Sequence, residues 1–273
     1  MAEIEIKELT KFYGTKKALN SISFEVGQGE IFGYLGPNGA GKTTTINCIM
    51  DFIKPTRGQV LINNLDANEQ STALKLLIGY VSSDVNLYEH WTGKDHLNLQ
   101  ESIRGKSRIL TRLLKDFQFD PSITVRKLST GNKQKLAVIM ALMHEPQFLI
   151  LDEPTRGLDP LLQNVFYSYL REFAAKNSTI FFSSHNLAEV ENVCDRVAII
   201  KEGKIEAVES ISKMKDKRMY LVTISYDGEF PKSKLRELKA VITAEYDHKI
   251  KIKVPGDVNK LLDVLATVKL NDL

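Results

Sequence analysis

The chain has 273 residues, with 37 Lys and Arg against 34 Asp and Glu and a formal net charge of +3. That length allows one large domain or a large and a small one, and so even a charge balance gives no argument for a nucleic-acid partner. No apolar run reaches the roughly 18 to 20 residues that span a bilayer, the N-terminus is unlike a signal peptide, and Cys48 and Cys194 lie far apart in apolar contexts, so a soluble chain with buried thiols is expected.

In chain order, residues 3–9 alternate as a strand, Lys11-Phe12-Tyr13-Gly14 reads as a turn, and 18–26 reads as a second strand. Gly27 and Gly29 read as a hairpin into a short buried strand at 30–35. Tyr13 fits equally a half-exposed turn aromatic and a stacking platform for a purine.

The stretch Gly36-Pro37-Asn38-Gly39-Ala40-Gly41-Lys42-Thr43 fits G-x-x-x-x-G-K-[ST] at every fixed position. A glycine-rich turn lets backbone N–H groups face phosphate oxygens where a Cβ would obstruct. Lys42 can reach β- and γ-phosphates, and the Thr43 hydroxyl can ligate Mg²⁺. A helix over 42–53, including Thr44 in its first turn, aims its positive end at the same phosphates. Strand, glycine loop and helix together are the context that this motif needs.

Beyond it, 59–62 reads as a strand, 72–77 as a helix and 78–81 as a buried strand that empties into Ser82-Ser83-Asp84. Residues 92–120 read as a small helical insertion, capped by Thr92, with a second helix over 107–117. Leu128-Ser129-Thr130-Gly131-Asn132 precedes an apolar helix to about His144, and Ser129 on its own reads as an ordinary cap. Phe148-Leu149-Ile150-Leu151-Asp152-Glu153 is a central parallel strand that ends in two carboxylates. Ligands of such sheets bind beyond the carboxyl ends of the strands. Asp152 there can hold Mg²⁺ directly or through water, and Glu153 can polarise an attacking water. A helix over 161–175 and a strand over 179–183 follow, and the strand leads into His185 at the same edge.

Residues 197–200 and 204–208 flank Glu202-Gly203 as a hairpin. The chain changes character over 209–218, a linker in the domain plan, and its charged run Lys213 to Arg218 reads best as a solvated helix face. Then come a strand at 219–225, a helix at 231–240, two strands meeting near Asp247-His248, and a helix at 257–268. That order suggests a small α+β appendage.

These motifs, in this order and over almost the whole chain, resemble the nucleotide-binding subunits of ATP-binding cassette (ABC) transporters. The loop at 36–43 resembles their Walker A motif, and 148–152 resembles Walker B with Glu153 at the general-base position. Residues 128–132 resemble the signature LSGGQ, with Thr130 and Asn132 as departures. Gly157-Leu158-Asp159 resembles the D-loop, His185 the switch histidine, and Tyr13 the adenine-stacking aromatic. One departure concerns the loop after 78–81, where Ser83 stands in place of a glutamine that reaches Mg²⁺ and the attacking water.

The resemblance implies an α/β P-loop NTPase core of ABC type over 1–208, with an antiparallel β subdomain and a helical subdomain at about 84–145. It implies a small C-terminal α+β domain over 219–273, and the exporter branch often called ABC-2. Relatives of that branch continue with a strand beyond the final helix; this chain stops at Asn271-Asp272-Leu273, which leaves truncation open. ATP and Mg²⁺ are the implied cofactors. Nucleotide contacts are implied for Tyr13, Gly36, Asn38, Gly39, Ala40, Gly41, Lys42, Thr43, Thr44 and Asp159, and across a head-to-tail homodimer or heterodimer for Ser129 and Gly131. Lys42, Glu153 and His185 are implied for catalysis, and Thr43, Asp152 and Ser83 for Mg²⁺. The implied partner is a separately encoded membrane permease, met by the loop at about 83–105, with the chain peripheral on the cytoplasmic face. The competing expectation is a soluble ABC-type ATPase that acts on ribosome or nucleic acid.

Overall fold

The computed structural model describes residues 2–216, 219–227, 235, 240–255, 259–266 and 269–272. The chain divides into two compact units, Met1–Val208 and Glu209–Leu273.

The first unit holds two sheets. One runs β2-β1-β4-β5, built from β1 (Ala2–Tyr13), β2 (Lys16–Gly27), β4 (Arg57–Ile62) and β5 (Leu65–Asp66), and it is antiparallel. The other has six strands in the order β10-β9-β3-β8-β7-β6. These are β3 (Ile31–Leu35), β6 (Ile78–Val81), β7 (Phe148–Asp152), β8 (Thr179–Ser184), β9 (Arg196–Lys201) and β10 (Lys204–Ser210). From β9 to β6 every pairing is parallel, so the strands from β3 to β6 open their carboxyl ends on one edge.

Both sheets contribute to one core. Phe24 of β2 stacks on Phe32 of β3 at 5.4 Å and on Phe181 of β8 at 5.9 Å. Ile46, Cys48 and Ile49 of α1 (Lys42–Ile49) join the same cluster. Each large apolar side chain buried there contributes about 1.5 to 3 kcal/mol. The apolar runs of β7 (four residues) and β8 (three residues) are buried on both faces, as an internal parallel strand requires.

Several expectations from sequence need correction. Gly27 and Gly29 do not form a hairpin, because β2 and β3 lie in different sheets. Glycine composition marks a reversal but cannot say which sheet receives the next strand. Lys11 to Tyr13 are not a turn; β1 continues to Tyr13 past a bulge at Glu8, where φ is +48°. The first helix ends at Ile49 rather than near Ile53, because Asp51 enters the left-handed region at φ +51°. The solvated helix face preferred for the charged run is met where that run is described: β10 reaches Ser210, and α8 (Ile211–Asp216) follows with Lys213 and Lys215 exposed.

Four further helices shape the cassette. They are α2 (Ser71–Leu77), α3 (Gly93–Arg104), α4 (Leu110–Asp116) and α5 (Thr130–Leu142). Thr92 closes a full capping box on α3, accepting from the Asp95 N–H while the Asp95 carboxylate accepts from the Thr92 N–H. After β7 come α6 (Pro160–Ala175) and, beyond β8, α7 (Leu187–Val193).

The second unit carries a four-stranded sheet, β12-β13-β11-β14, from β11 (Met219–Asp227), β12 (Val241–Tyr246), β13 (Lys249–Pro255) and β14 (Lys269–Asp272). Its inner face packs Ile224, Tyr226, Ile250, Ile252 and Val254 against Leu235, Leu261 and Leu265. The helix expected at 231–240 lies almost wholly outside the described residues; the one expected at 257–268 is described over Asn259–Leu265. A strand does follow that helix: β14 pairs with β11 through Tyr226 and Leu270.

Candidate nucleotide site

Parallel topology brings four strand ends to one edge: the loop after β3, Ser82-Ser83 after β6, Asp152-Glu153 at the end of β7, and Ser184-His185 at the end of β8. The Gly36 N–H donates to the Ser184 carbonyl at 3.2 Å, which ties the glycine loop to β8. Gly36 and Gly41 are glycines for steric reasons. A Cβ on Gly36 would sit 2.4 Å from the Ile200 carbonyl oxygen. At Gly41, φ is +113° and a Cβ would lie 2.8 Å from Leu19.

Lys42 is buried, and its Nζ donates to the carbonyls of Gly36 at 2.8 Å and Pro37 at 3.2 Å. The same Nζ lies 3.2 Å from Glu153 Oε1. His185 Nδ1 lies 3.1 Å from that oxygen, so one carboxylate oxygen joins the lysine of the loop to the histidine of β8. Burial pushes the Glu153 carboxyl upward, but the hydrogen bonds from His185 and Lys42 outweigh it and hold the group below the usual carboxylate range. Glu153 has φ +47°, a strained conformation for a residue with a Cβ, held by its N–H donating to Ser183.

Asp152 is 1% exposed. Its Oδ2 accepts from the Thr43 hydroxyl at 2.8 Å, and its Oδ1 accepts from the Ser183 hydroxyl at 2.6 Å. Thr43 and Asp152 therefore present oxygen donors side by side, with the second carboxylate oxygen anchored from behind.

A cleft of about 740 Å³ opens over these groups. Of the residues expected from sequence, Tyr13, Asn38, Gly39, Gly41, Lys42, Thr43, Thr44, Ser83, Glu153 and His185 line it. Gly36 and Ala40 shape the loop beneath it. Tyr13, 48% exposed, carries the Lys11 ammonium 5.4 Å from its ring centre. Lys16, Lys17, Arg156 and Glu202 also line the cleft and were not singled out from sequence. Arg156 follows Glu153 by three residues and was legible as a neighbour of the carboxylates; the others come from separate strands and hairpins. Ser183, the anchor of Asp152, was read only as a strand residue.

Ser129, Gly131 and Asp159 do not line this cleft. Ser129 caps α5 by accepting from the Asn132 N–H at 3.2 Å, and Asp159 caps α6 by accepting from Leu162 at 3.0 Å. A Cβ on Gly131 would sit 2.6 Å from the Gly157 carbonyl oxygen, so the start of α5 presses on the loop after β7. Gln134 ties the same two segments by donating to the Pro154 carbonyl at 2.7 Å.

A second groove, of about 520 Å³, lies between β6 and the helices α3 and α5. Phe52, Tyr80, Val85, Leu87, Arg104 and Met140 are among its walls. Beside it, His96 braces the loop before α3: its Nε2 accepts from the Tyr88 N–H at 3.0 Å while Nδ1 meets the Thr92 carbonyl at 2.9 Å.

A family pattern described as "ABC transporter" matches residues 19–156. The chain is 39% identical over 210 residues to a bacitracin transport ATP-binding protein of Bacillus licheniformis, covering 74% of this chain and 68% of that one. It is 31% identical over 261 residues to a Nod factor export ATP-binding protein of Rhizobium meliloti, covering 93% and 76%. Among solved structures, an ATP-binding subunit of an ABC transporter superposes with TM-score 0.73 at 32% identity, covering 78% of this chain and 91% of the other. A dimeric bacterial ABC transporter cassette superposes with TM-score 0.71 at 25% identity, covering 76% and 98%.

Proposed function

The chain belongs to the ABC transporter family as an ATP-binding, ATP-hydrolysing subunit, and from that premise we propose that it powers an exporter through the residues gathered at the β3–β8–β7 edge. The carrying observation is the convergence of Lys42, Glu153 and His185 on one oxygen, with Thr43 and Asp152 alongside. Of the two relatives named above, the Nod factor export ATP-binding protein supports export as the direction, and the bacitracin transport ATP-binding protein supports transport.

In this reading the loop N–H groups and Lys42 bind the phosphates, and Tyr13 stacks on the base. Thr43 and Asp152 present hard oxygen donors of the kind that Mg²⁺ takes, with Ser83 at the cleft wall. When bound, the ion supplies charge neutralisation to the phosphoryl oxygens. Glu153 is ionised at neutral pH, because its contacts hold its carboxyl low, and it accepts the proton of the attacking water. His185 orients that carboxylate. Lys42 releases Glu153 as it turns to phosphate, since both compete for the same ammonium.

The capped starts of α5 and α6, with Ser129, Gly131 and Asp159, face a second copy's nucleotide in a head-to-tail dimer. Their absence from the chain's own cleft supports this reading. The loop at 83–105, with its groove and the exposed Tyr88 and Trp91, meets the permease. In this reading the chain sits beneath the membrane through that partner; among the described residues no helix is long and apolar enough to cross a membrane. Glu153→Gln is expected to bind ATP and accumulate closed dimers while turnover falls about 10²- to 10⁴-fold. Turnover at the wild-type rate would remove Glu153 from its role.

A further inference from the structure

The C-terminal sheet has two faces of opposite character. Ile250, Ile252 and Val254 of β13 point into the core, so Lys249, Lys251 and Lys253 line the other face and are exposed. Alternate residues of a strand lie about 6.6 to 6.8 Å apart, so the three ammonium groups form one file along an internal strand. Their cross-strand partners are Ser225, Thr223 and Leu221 on β11 and Tyr246, Ala244 and Val241 on β12. None of these is acidic. Glu245 stands opposite Ile250, on the inner side of the register.

The apolar members are unusually bare. Leu221 is 64% exposed, Tyr246 62%, Met219 57% and Val241 56%. A sheet face kept only for solvent alternates with polar residues, and lysines placed against edge-to-edge aggregation belong on edge strands. Here the lysines run down a central strand, with Leu221, Val241, Ala244 and Tyr246 beside them as well as the polar Thr223 and Ser225. A second copy laid face to face would set lysine files against each other. The pattern, a cationic file with partly apolar flanks, suits an anionic amphiphilic surface.

We propose that this outer face rests on an anionic lipid leaflet, with Lys249, Lys251 and Lys253 at the headgroups and Leu221, Met219 and Tyr246 in the interface. The inference rests on the reading that the chain works beneath a membrane, and it adds a contact that needs no permease. Each lysine beside an anionic leaflet is worth about a fivefold gain in partitioning, so the file supplies about a hundredfold.

The test is sedimentation of the full chain with vesicles, without permease or ATP. Vesicles of phosphatidylcholine mixed with phosphatidylglycerol are expected to capture it, and phosphatidylcholine alone is not. Rising salt weakens the capture. The triple variant Lys249→Glu, Lys251→Glu, Lys253→Glu loses it about a hundredfold, with ATP turnover unchanged. Lys→Gln at the same positions, and Leu221→Ser, guard against a folding defect; each is expected to bind more weakly than wild type with an unchanged melting curve. No capture of the wild-type chain, or full capture of the triple variant, overturns the proposal. So does binding of soluble polyglutamate or DNA through the same lysines in place of vesicles. Failure of Glu153→Gln to lose turnover would strike the catalytic reading while leaving the vesicle result intact.

Discussion

The helix that begins at Lys42 and the helix that begins at Thr130 are both assigned to phosphate, yet their first turns are finished differently. The first has Gly41 at its cap position, no side-chain cap and no acid in its opening turn. Its N–H groups lack local partners from side chains and face the cleft. The second is closed by Ser129, whose oxygen already accepts from Asn132. A cap of that kind is worth about 1 kcal/mol, which the Lys42 helix forgoes. An end left open serves a ligand bound within one chain. An end that is closed can still serve through the hydroxyl proton of Ser129, which the cap leaves free to donate. In the proposed reading, the arrangement separates a standing phosphate site from one that waits for a partner.

The comparison can be broken most directly at Lys42. Lys42→Ala is expected to lower ATP turnover about 10²- to 10³-fold and to weaken nucleotide binding, measured with a fluorescent ATP analogue. If binding held at the wild-type level, the open helix end alone would carry the phosphate. Gly41→Ala comes next. It forces a Cβ into contact with Leu19 at φ +113°, a strain of about 1 to 3 kcal/mol, so the melting temperature and ATP affinity should fall together. An unchanged melting curve would mean that the loop relaxes without loss. Ser129→Ala has the smallest expected effect. It removes the cap, about 1 kcal/mol of stability, and should weaken ATP-dependent dimerisation while leaving monomer affinity for ATP untouched. Loss of monomer affinity would place Ser129 in the chain's own site, against the geometry.

Much of the cassette was legible because its motifs are contiguous. Gly36 to Thr43 declares its chemistry within eight residues, and Phe148 to Asp152 declares a buried strand with a carboxylate at its end. Other features depend on partners far away in sequence. Ser183 anchors Asp152 across 31 positions, and nothing local marks that serine. Hairpin composition at Gly27 and Gly29 could not reveal that β2 and β3 part into different sheets. β13 was legible only as one of two strands meeting near Asp247-His248, and which side chains stand beside its lysines depended on pairing with β11 and β12.

The glycine loop, the two carboxylates and the histidine were determined by residue type and spacing alone, because backbone conformation and charge at those points are local demands. That Lys42, Glu153 and His185 meet on one carboxylate oxygen was decided by tertiary structure. Only the parallel order β3-β8-β7 sets those three strand ends side by side, and strand order is chosen by burial of both faces rather than by any short stretch of chain.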